Sequence, residues 1–340
     1  MRILVTGGAG YIGSHTVRVL RARGHDVWVY DNLVHGHKAA VPADRLIVGD
    51  LKDADVLDHA LLINRIEAVV HFAAYCYVGE SGTDPGKYYV NNVGHTLTLF
   101  ERMRRHGVNK LVFSSTCATY GTPDRVPIAE DTPQRPINPY GRTKLVVEYA
   151  MRDYATAYGW GCTALRYFNA AGAAADGTNG EDHSPETHLI PLVIQAALGK
   201  RPHIEVFGTD YPTPDGTCVR DYIHVDDLGE AHALAVEKSA PGEFRAVNLG
   251  TGRGYSVREV IRIVEAVTGR KVPVKESPRR PGDPAELVAA PAKAMKELGW
   301  KPKYLELEQI VQTAWNWHRT HQDGFNSPLT ASQPPADRAT

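Results

Sequence analysis

The chain has 340 residues, 43% hydrophobic and 23% charged, and it exceeds the roughly 250–300 residues at which a single core stops growing, so two lobes are expected. Lys and Arg total 38 against 39 Asp and Glu, and this balance, a net charge of −1, excludes a general nucleic-acid or anionic-membrane binder. No apolar run approaches the roughly 18 residues of a membrane span, and the four cysteines form no C-x-x-C pair and no disulfide framework, which fits a reducing cytosol.

In chain order, Ile3-Leu4-Val5 reads as a strand buried on both faces, followed by a helix over 12–23 closed by Gly24. Further strands are predicted at Val27–Tyr30, Leu46–Val48, Ala68–Phe72, Leu111–Ser114 and Thr163–Tyr167, with helices at about 88–106 and 140–158. Strands alternating with helices imply an α/β fold with a doubly wound parallel, Rossmann-like sheet. Residues 170–188 read as a long loop. Ser256 and Glu259 form a capping box that opens a helix ending at Gly269. Two more helices are expected at 291–298 and 305–320, and a frayed polar tail from 322.

Gly7, Gly10 and Gly13 follow the first strand and open the first helix. Positions without side chains let the backbone approach a pyrophosphate, and the helix N-terminus offers it free N–H groups. Asp31 ends the second strand, where a carboxylate accepts from an adenosine ribose and repels a 2′-phosphate, so NAD is favoured over NADP. Asp50-Leu51 and Phe72-Ala73-Ala74 end the next two strands, on the side where ligands bind in such sheets.

In Asn138-Pro139-Tyr140-Gly141-Arg142-Thr143-Lys144, Asn138 suits a helix N-cap and Pro139 the first turn. Tyr140 and Lys144 then share one helix face. A nearby ammonium and an oxidised nicotinamide would both lower the phenol pKa, making Tyr140 a general base. Ser114-Ser115-Thr116 ends the fifth strand, and Thr116 is placed to relay a sugar hydroxyl's proton to Tyr140. Of 15 histidines none lies in H-E-x-x-H. Glu181, Asp182, His183 and His188 share the long loop and are read as solvated, so no metal site is predicted.

These residues carry a resemblance. VTGGAGYIGSH at 5–15, HFAA at 71–74, SSTCATYG at 114–121, PYGRTK at 139–144, LRYFNAAGA at 165–173, PETHLIP at 185–191, FGTDYPTPDGTCVRDYIHVDDL at 207–228, NLGTG at 248–252 and PRRPGD at 278–283 resemble the extended short-chain dehydrogenase/reductases, and more narrowly the UDP-galactose (UDP-glucose) 4-epimerases. The resemblance implies a cofactor lobe over 1–168 to which about 219–255 returns, a nucleotide-sugar lobe over 169–321, and a homodimer. It implies Tyr140 as base, Lys144 tuning it and holding a ribose, and Thr116 assisting. Tyr11, Ile12, Asn32, Asn91, Ser114, Tyr167 and Phe168 would contact NAD, with Tyr167 and Phe168 also lining the sugar and diphosphate region together with Asn169. His188, Leu189, Phe207 and Tyr222 would line the nucleotide-sugar side. Arg220 and Arg280 would grip the diphosphate, and Asp283 a ribose hydroxyl. Guanidinium forks match phosphate oxygens, which gives that pairing physical sense. The bland alternative for Arg220 is an ion pair with Asp221, and for Arg279 a solvated charge.

Two departures stand out. Cys76 occupies a position where some family members have a cofactor-contacting Lys, and Leu287 one whose bulk helps decide whether N-acetylated sugars fit. Cys117 and Ala118 follow Thr116 where dehydratases and decarboxylases of the group carry acids, which favours clean inversion at C4. UDP-xylose/UDP-arabinose or UDP-GlcNAc epimerisation is the near alternative. A non-catalytic NAD-binding redox sensor is the distant one.

Overall fold

The computed structural model describes residues 1–280 and 282–327. Thirteen strands appear among them: β1 Arg2–Thr6, β2 Asp26–Asp31, β3 Leu46–Val48, β4 Ala68–His71, β5 Lys110–Thr116, β6 Gly161–Tyr167, β7 Asn169–Ala171, β8 Ile204–Phe207, β9 Val219–His224, β10 Phe244–Leu249, β11 Gly254–Ser256, β12 Val274–Ser277 and β13 Glu286–Leu287. Seven form one parallel sheet in the order β10-β6-β5-β4-β1-β2-β3. Strand order reverses between β1 and β4, and the crevice at the carboxyl ends of these two strands is where such sheets take ligands.

Both faces of the sheet are covered, which is why its strands are continuous apolar runs. Helices Tyr11–Ala22 and Val225–Glu237 pack together on one face, burying Val17, Leu20, Leu228 and Ala231. On the other, Ala54–Ile63, Thr96–Arg105 and Pro139–Tyr158 bury Leu57, Leu99, Phe100, Val147 and Met151. A third core joins helices Leu189–Ala197, Val257–Thr268 and Leu307–Thr320 through Ile190, Val193, Val260, Val264, Ile310 and Val311. Beside it, β9 pairs with β7, β11 and β13, and β8 with β12. The capping box on Ser256 and the left-handed Gly269 bound their helix as the sequence predicts.

Three expectations need correction. The helix drawn through 88–106 is broken by a π-helical turn at Tyr89–His95. The loop after Asn169 begins as strand β7, because its three residues find a partner in β9. The frayed tail expected from 322 is ordered over its first residues: the turn Gly324–Asn326 is anchored to Asp182, which accepts from the Phe325 N–H at 2.9 Å, and Phe325 packs on Trp317 and His37. The remainder of that tail, from 328, lies outside the described residues. Among the described residues no helix is long and apolar enough to cross a membrane.

Candidate active site

The glycine turn is built by close approach. Gly7 takes φ +71°, and a Cβ there would stand 2.5 Å from the Ala73 nitrogen; a Cβ on Gly13 would stand 2.2 Å from the Gly7 carbonyl oxygen. Only bare backbone fits both places, and the turn so formed faces a cleft of about 1340 Å³. Asp31 lies at its edge, accepting from Ala9 N–H at 2.9 Å and Leu33 N–H at 2.8 Å, and Asn32 donates to Asp50 at 2.9 Å. Each Asp31 oxygen keeps capacity for a second donor. Tyr11 donates to the Gly172 carbonyl at 2.6 Å and so joins the turn to the long loop.

The cleft brings the nominated residues together. Gly7, Gly10, Tyr11, Ile12, Gly13, Asp31, Asn32, Asp50, Leu51, Phe72, Ala73, Ala74, Asn91 and Ser114 line one part. Thr116, Tyr140, Lys144, Tyr167, Phe168 and Asn169 line the same cleft, as do His188, Leu189, Phe207, Arg220, Tyr222, Arg280, Asp283 and Leu287.

Tyr140 is placed by its helix start. The Asn138 side chain accepts from Gly141 N–H at 2.8 Å, and Pro139 sets the first turn. One turn on, the buried Lys144 donates to the Ser114 carbonyl at 2.7 Å, and its ammonium lies 5.8 Å from the centre of the Tyr140 ring. The Tyr140 ring keeps an edge in the cleft, yet desolvation pushes its phenol well above the ordinary value of 10, with Cys76 adding to the effect and the Thr116 hydroxyl pulling the other way. Burial draws the Lys144 ammonium down to about 8. The expected lowering of the Tyr140 phenol by Lys144 is therefore reversed in the protein alone: the ammonium is turned to a carbonyl, and loss of water dominates.

Behind these groups a buried network fixes β5. Glu148 receives Arg166 at 3.0 and 2.6 Å and Ser115 at 2.6 Å, and Arg166 also donates to Tyr120 at 2.8 Å. The π turn carries Asn91 to the cleft while its neighbour Asn92 bonds both Tyr75 N–H and Tyr75 C=O, at 2.9 and 3.0 Å. π turns of this kind are frequent at functional sites.

At the far end Arg220 pairs with Asp283, not Asp221. Asp221 is buried and instead accepts from the backbone of Thr251, Gly252 and Ala289. Arg280 stacks 3.9 Å over the Phe207 ring. Arg279 pairs with Asp210 at 2.7 Å and lies over Tyr211, so it is a partnered surface charge.

The reading of Glu181, Asp182, His183 and His188 as solvated loop residues is overturned. Glu181 and His183 fold inward and are joined by Glu186, which sequence reasoning missed; the His188 ring, 43% exposed, meets them from the cleft, and Asp182 turns away to the Phe325 turn. Glu181 is only 3% exposed. Desolvation opposes charge here, but the carboxylates of Glu181 and Glu186 hold the His183 imidazolium up at about 10 and raise His188 well above its usual range. Lys87 was also missed. It lines the cleft, sits 4.2 Å over the Tyr75 ring and pairs with Glu80 at 2.6 Å. The departure at Cys76 was the cue to search for another cation nearby.

The sequence model described as the NAD dependent epimerase/dehydratase family matches residues 3–250. A UDP-glucose 4-epimerase of Halalkalibacterium halodurans is 52% identical over 96% of this chain and 98% of its own length. The crystal structure of UDP-glucose 4-epimerase from Brucella ovis in complex with NAD is 52% identical, with a TM-score of 0.89 over 92% of this chain and 97% of that one. That of the Bifidobacterium longum enzyme in complex with NAD+ and UDP is 40% identical, with a TM-score of 0.91 over 96% of this chain and 100% of that one.

Proposed function

Because the chain belongs to the NAD dependent epimerase/dehydratase family, we propose that it is a UDP-glucose 4-epimerase, inverting C4 of a UDP-hexose through a transient 4-keto sugar. One observation carries the reading: the Tyr140, Lys144 and Thr116 side chains open into the same cleft as the glycine turn and the two arginines, Arg220 and Arg280. The cradle fits NAD, since Gly7 and Gly13 leave bare backbone and Asp31 presents a carboxylate.

In the proposed chemistry Tyr140 takes the proton of the sugar 4-hydroxyl, with Thr116 bridging. NAD, held by the glycine turn and Asp31, would supply the hydride chemistry at C4. Lys144 and the cofactor's positive charge together offset the desolvation that otherwise keeps the Tyr140 phenol protonated. Arg220 and Arg280 hold the diphosphate, far from the reacting carbon, so the flat keto sugar turns without escaping. Return of hydride and proton to the other face inverts C4. Cys117 and Ala118 bring no acid to the sugar, which supports inversion over elimination.

Two finer points belong to the same proposal. A second copy of the chain would cover the exposed Val90, Leu97, Val146 and Tyr149 on the helical segments 89–105 and 139–158; sedimentation velocity checks this homodimer. The four cysteines are free thiols, which supports a reducing, cytoplasmic setting.

The test is to incubate the protein, without added cofactor, with UDP-glucose, UDP-GlcNAc or UDP-xylose and identify the products. UDP-galactose is expected from UDP-glucose. Turnover of UDP-xylose alone would move the assignment to a pentose epimerase, and no product from any of the three would sink it.

A further inference from the structure

Four side chains in the loop wall of the cleft are left without a task by the chemistry above. Glu181, His183, Glu186 and His188 each offer one ligand atom, and these atoms lie within 4.8 Å of one another. The carboxylate–imidazole separations are 3.2 Å and 2.8 Å from Glu181 to His183 and His188, and 3.7 Å and 3.0 Å from Glu186 to the same two rings. A tetrahedron with metal–ligand bonds of about 2.0–2.1 Å has edges of about 3.3–3.4 Å. The Glu181 contacts lie near that value; the two Glu186 contacts are to different oxygens, Oε2 and Oε1, and the four ligand atoms spread over as much as 4.8 Å, so a bound cation would draw them inward.

A second observation points inward. Glu181 is 3% exposed, and its Oε1 is buried without a hydrogen-bond partner; Nδ1 of His183, 3.2 Å away, is buried and unpartnered as well. Both atoms aim into the group, close together yet out of line for a hydrogen bond. Buried unpaired acceptors of this kind are costly and call for an explanation. Two imidazoles and two carboxylates converging on one point are a donor set for a divalent transition metal.

We propose that Glu181, His183, Glu186 and His188 form a closed four-ligand site for one divalent transition-metal cation of the zinc type. All four ligands come from one stretch of eight residues, E-x-H-x-x-E-x-H, so closing the site orders little chain. The stretch is braced on both sides. The Tyr11 ring stands edge-on to His183 at 6.1 Å, and Asp182 faces outward to hold the Phe325 N–H. A site whose four positions are all filled by the protein leaves none open for a reactant and is structural. It pins the long loop between the glycine turn and the helix Leu189–Ala197, whose N-cap is His188. Metal on Nδ1 of His188 would also fix Nε2 as the protonated, donating nitrogen of a ring that lines the cleft. That last consequence rests on the UDP-sugar reading; the metal site does not.

The experiment uses the full chain, stripped with a chelator, dialysed to equilibrium against Zn²⁺ and analysed for metal by mass spectrometry. Wild type should hold about one tightly bound zinc per chain, and Glu181→Gln and His183→Ala should each bind at least about tenfold more weakly. Circular dichroism reports whether the variants fold. A second reading needs no variant: Co²⁺ added to stripped wild type should give the intense visible bands of tetrahedral cobalt. Zinc retention equal in all three proteins, no zinc above a buffer control, or only weak octahedral cobalt bands would overturn the site and leave two ion pairs. Metal content is read without substrate, so its failure and failure of the epimerase reading are told apart.

Discussion

Two walls of one cleft treat charge in opposite ways. On the wall formed by β4, β5 and the Tyr140 helix, titratable groups have no carboxylate partner in the cleft, and loss of water decides their state. Lys144 is drawn down to about 8 and the Tyr140 phenol is held protonated; behind the wall, the buried His71 is drawn down to about 3. On the wall formed by the 181–188 loop and the start of β9, His183, His188 and Arg220 each face an opposite charge. His183 rises to about 10 between Glu181 and Glu186, and Arg220 pairs with Asp283. Burial alone does not set a charge; the partner does. The first wall is suited to moving protons, and the second to holding a charged ligand still.

The sharpest way to break this contrast is Tyr140→Phe. On the proton-moving wall it should lower kcat by about 10³-fold or more while UDP binding, measured by calorimetry, persists. Near-normal turnover would refute the assignment. Next comes Arg166→Met, which strands Glu148, fully buried, without its partner. It should cost about 3–5 kcal/mol in urea unfolding. Arg220→Ala, on the other wall, should weaken UDP binding by about 10–100-fold, as loss of a charge-assisted contact predicts, and change kcat much less than Tyr140→Phe does.

The smallest effect concerns pH. His232 lies fully buried under the Phe72 ring, its pKa drawn down to about 4 by desolvation. Its folded value is below the ordinary 6.5. Between 6.5 and 4 the unfolded chain therefore binds more protons, and stability falls as pH falls through that window. Urea melts across this range should show a shallower slope for His232→Leu than for wild type. An unchanged slope would show that other groups set the acid limb.

The first wall and the glycine turn beside it were legible in the sequence. Gly7, Gly10 and Gly13 sit at fixed spacing between a strand and a helix, and Tyr140 and Lys144 one helical turn apart, so local periodicity was enough to place them. The direction of the Tyr140 shift was not legible, because desolvation is a property of packing and not of spacing. The second wall was legible only by resemblance. Arg220 and Asp283 are 63 residues apart, and nothing local says that they meet. Asp221, its neighbour in sequence, points the other way. In the 181–188 loop, composition suggested solvent. Whether Glu181 is wet or buried depends on Tyr11 beside His183, Trp317 donating to the Glu181 carbonyl and the Phe325 turn held on Asp182, which reach the loop from two distant parts of the chain.

The seven-residue π turn at Tyr89–His95 gives the chain a spare letter. Such a turn accommodates one more residue than a regular helix while both flanks keep their faces. Removing Gly94 should therefore leave Leu99, Phe100 and Met103 seated in their core, with the fall in melting temperature limited to the lost Asn92–Tyr75 hydrogen bonds. Asn91 and Asn92 would be re-aimed, and turnover should drop. Here architecture and activity are written in separable residues, so a single deletion can erase one and spare the other.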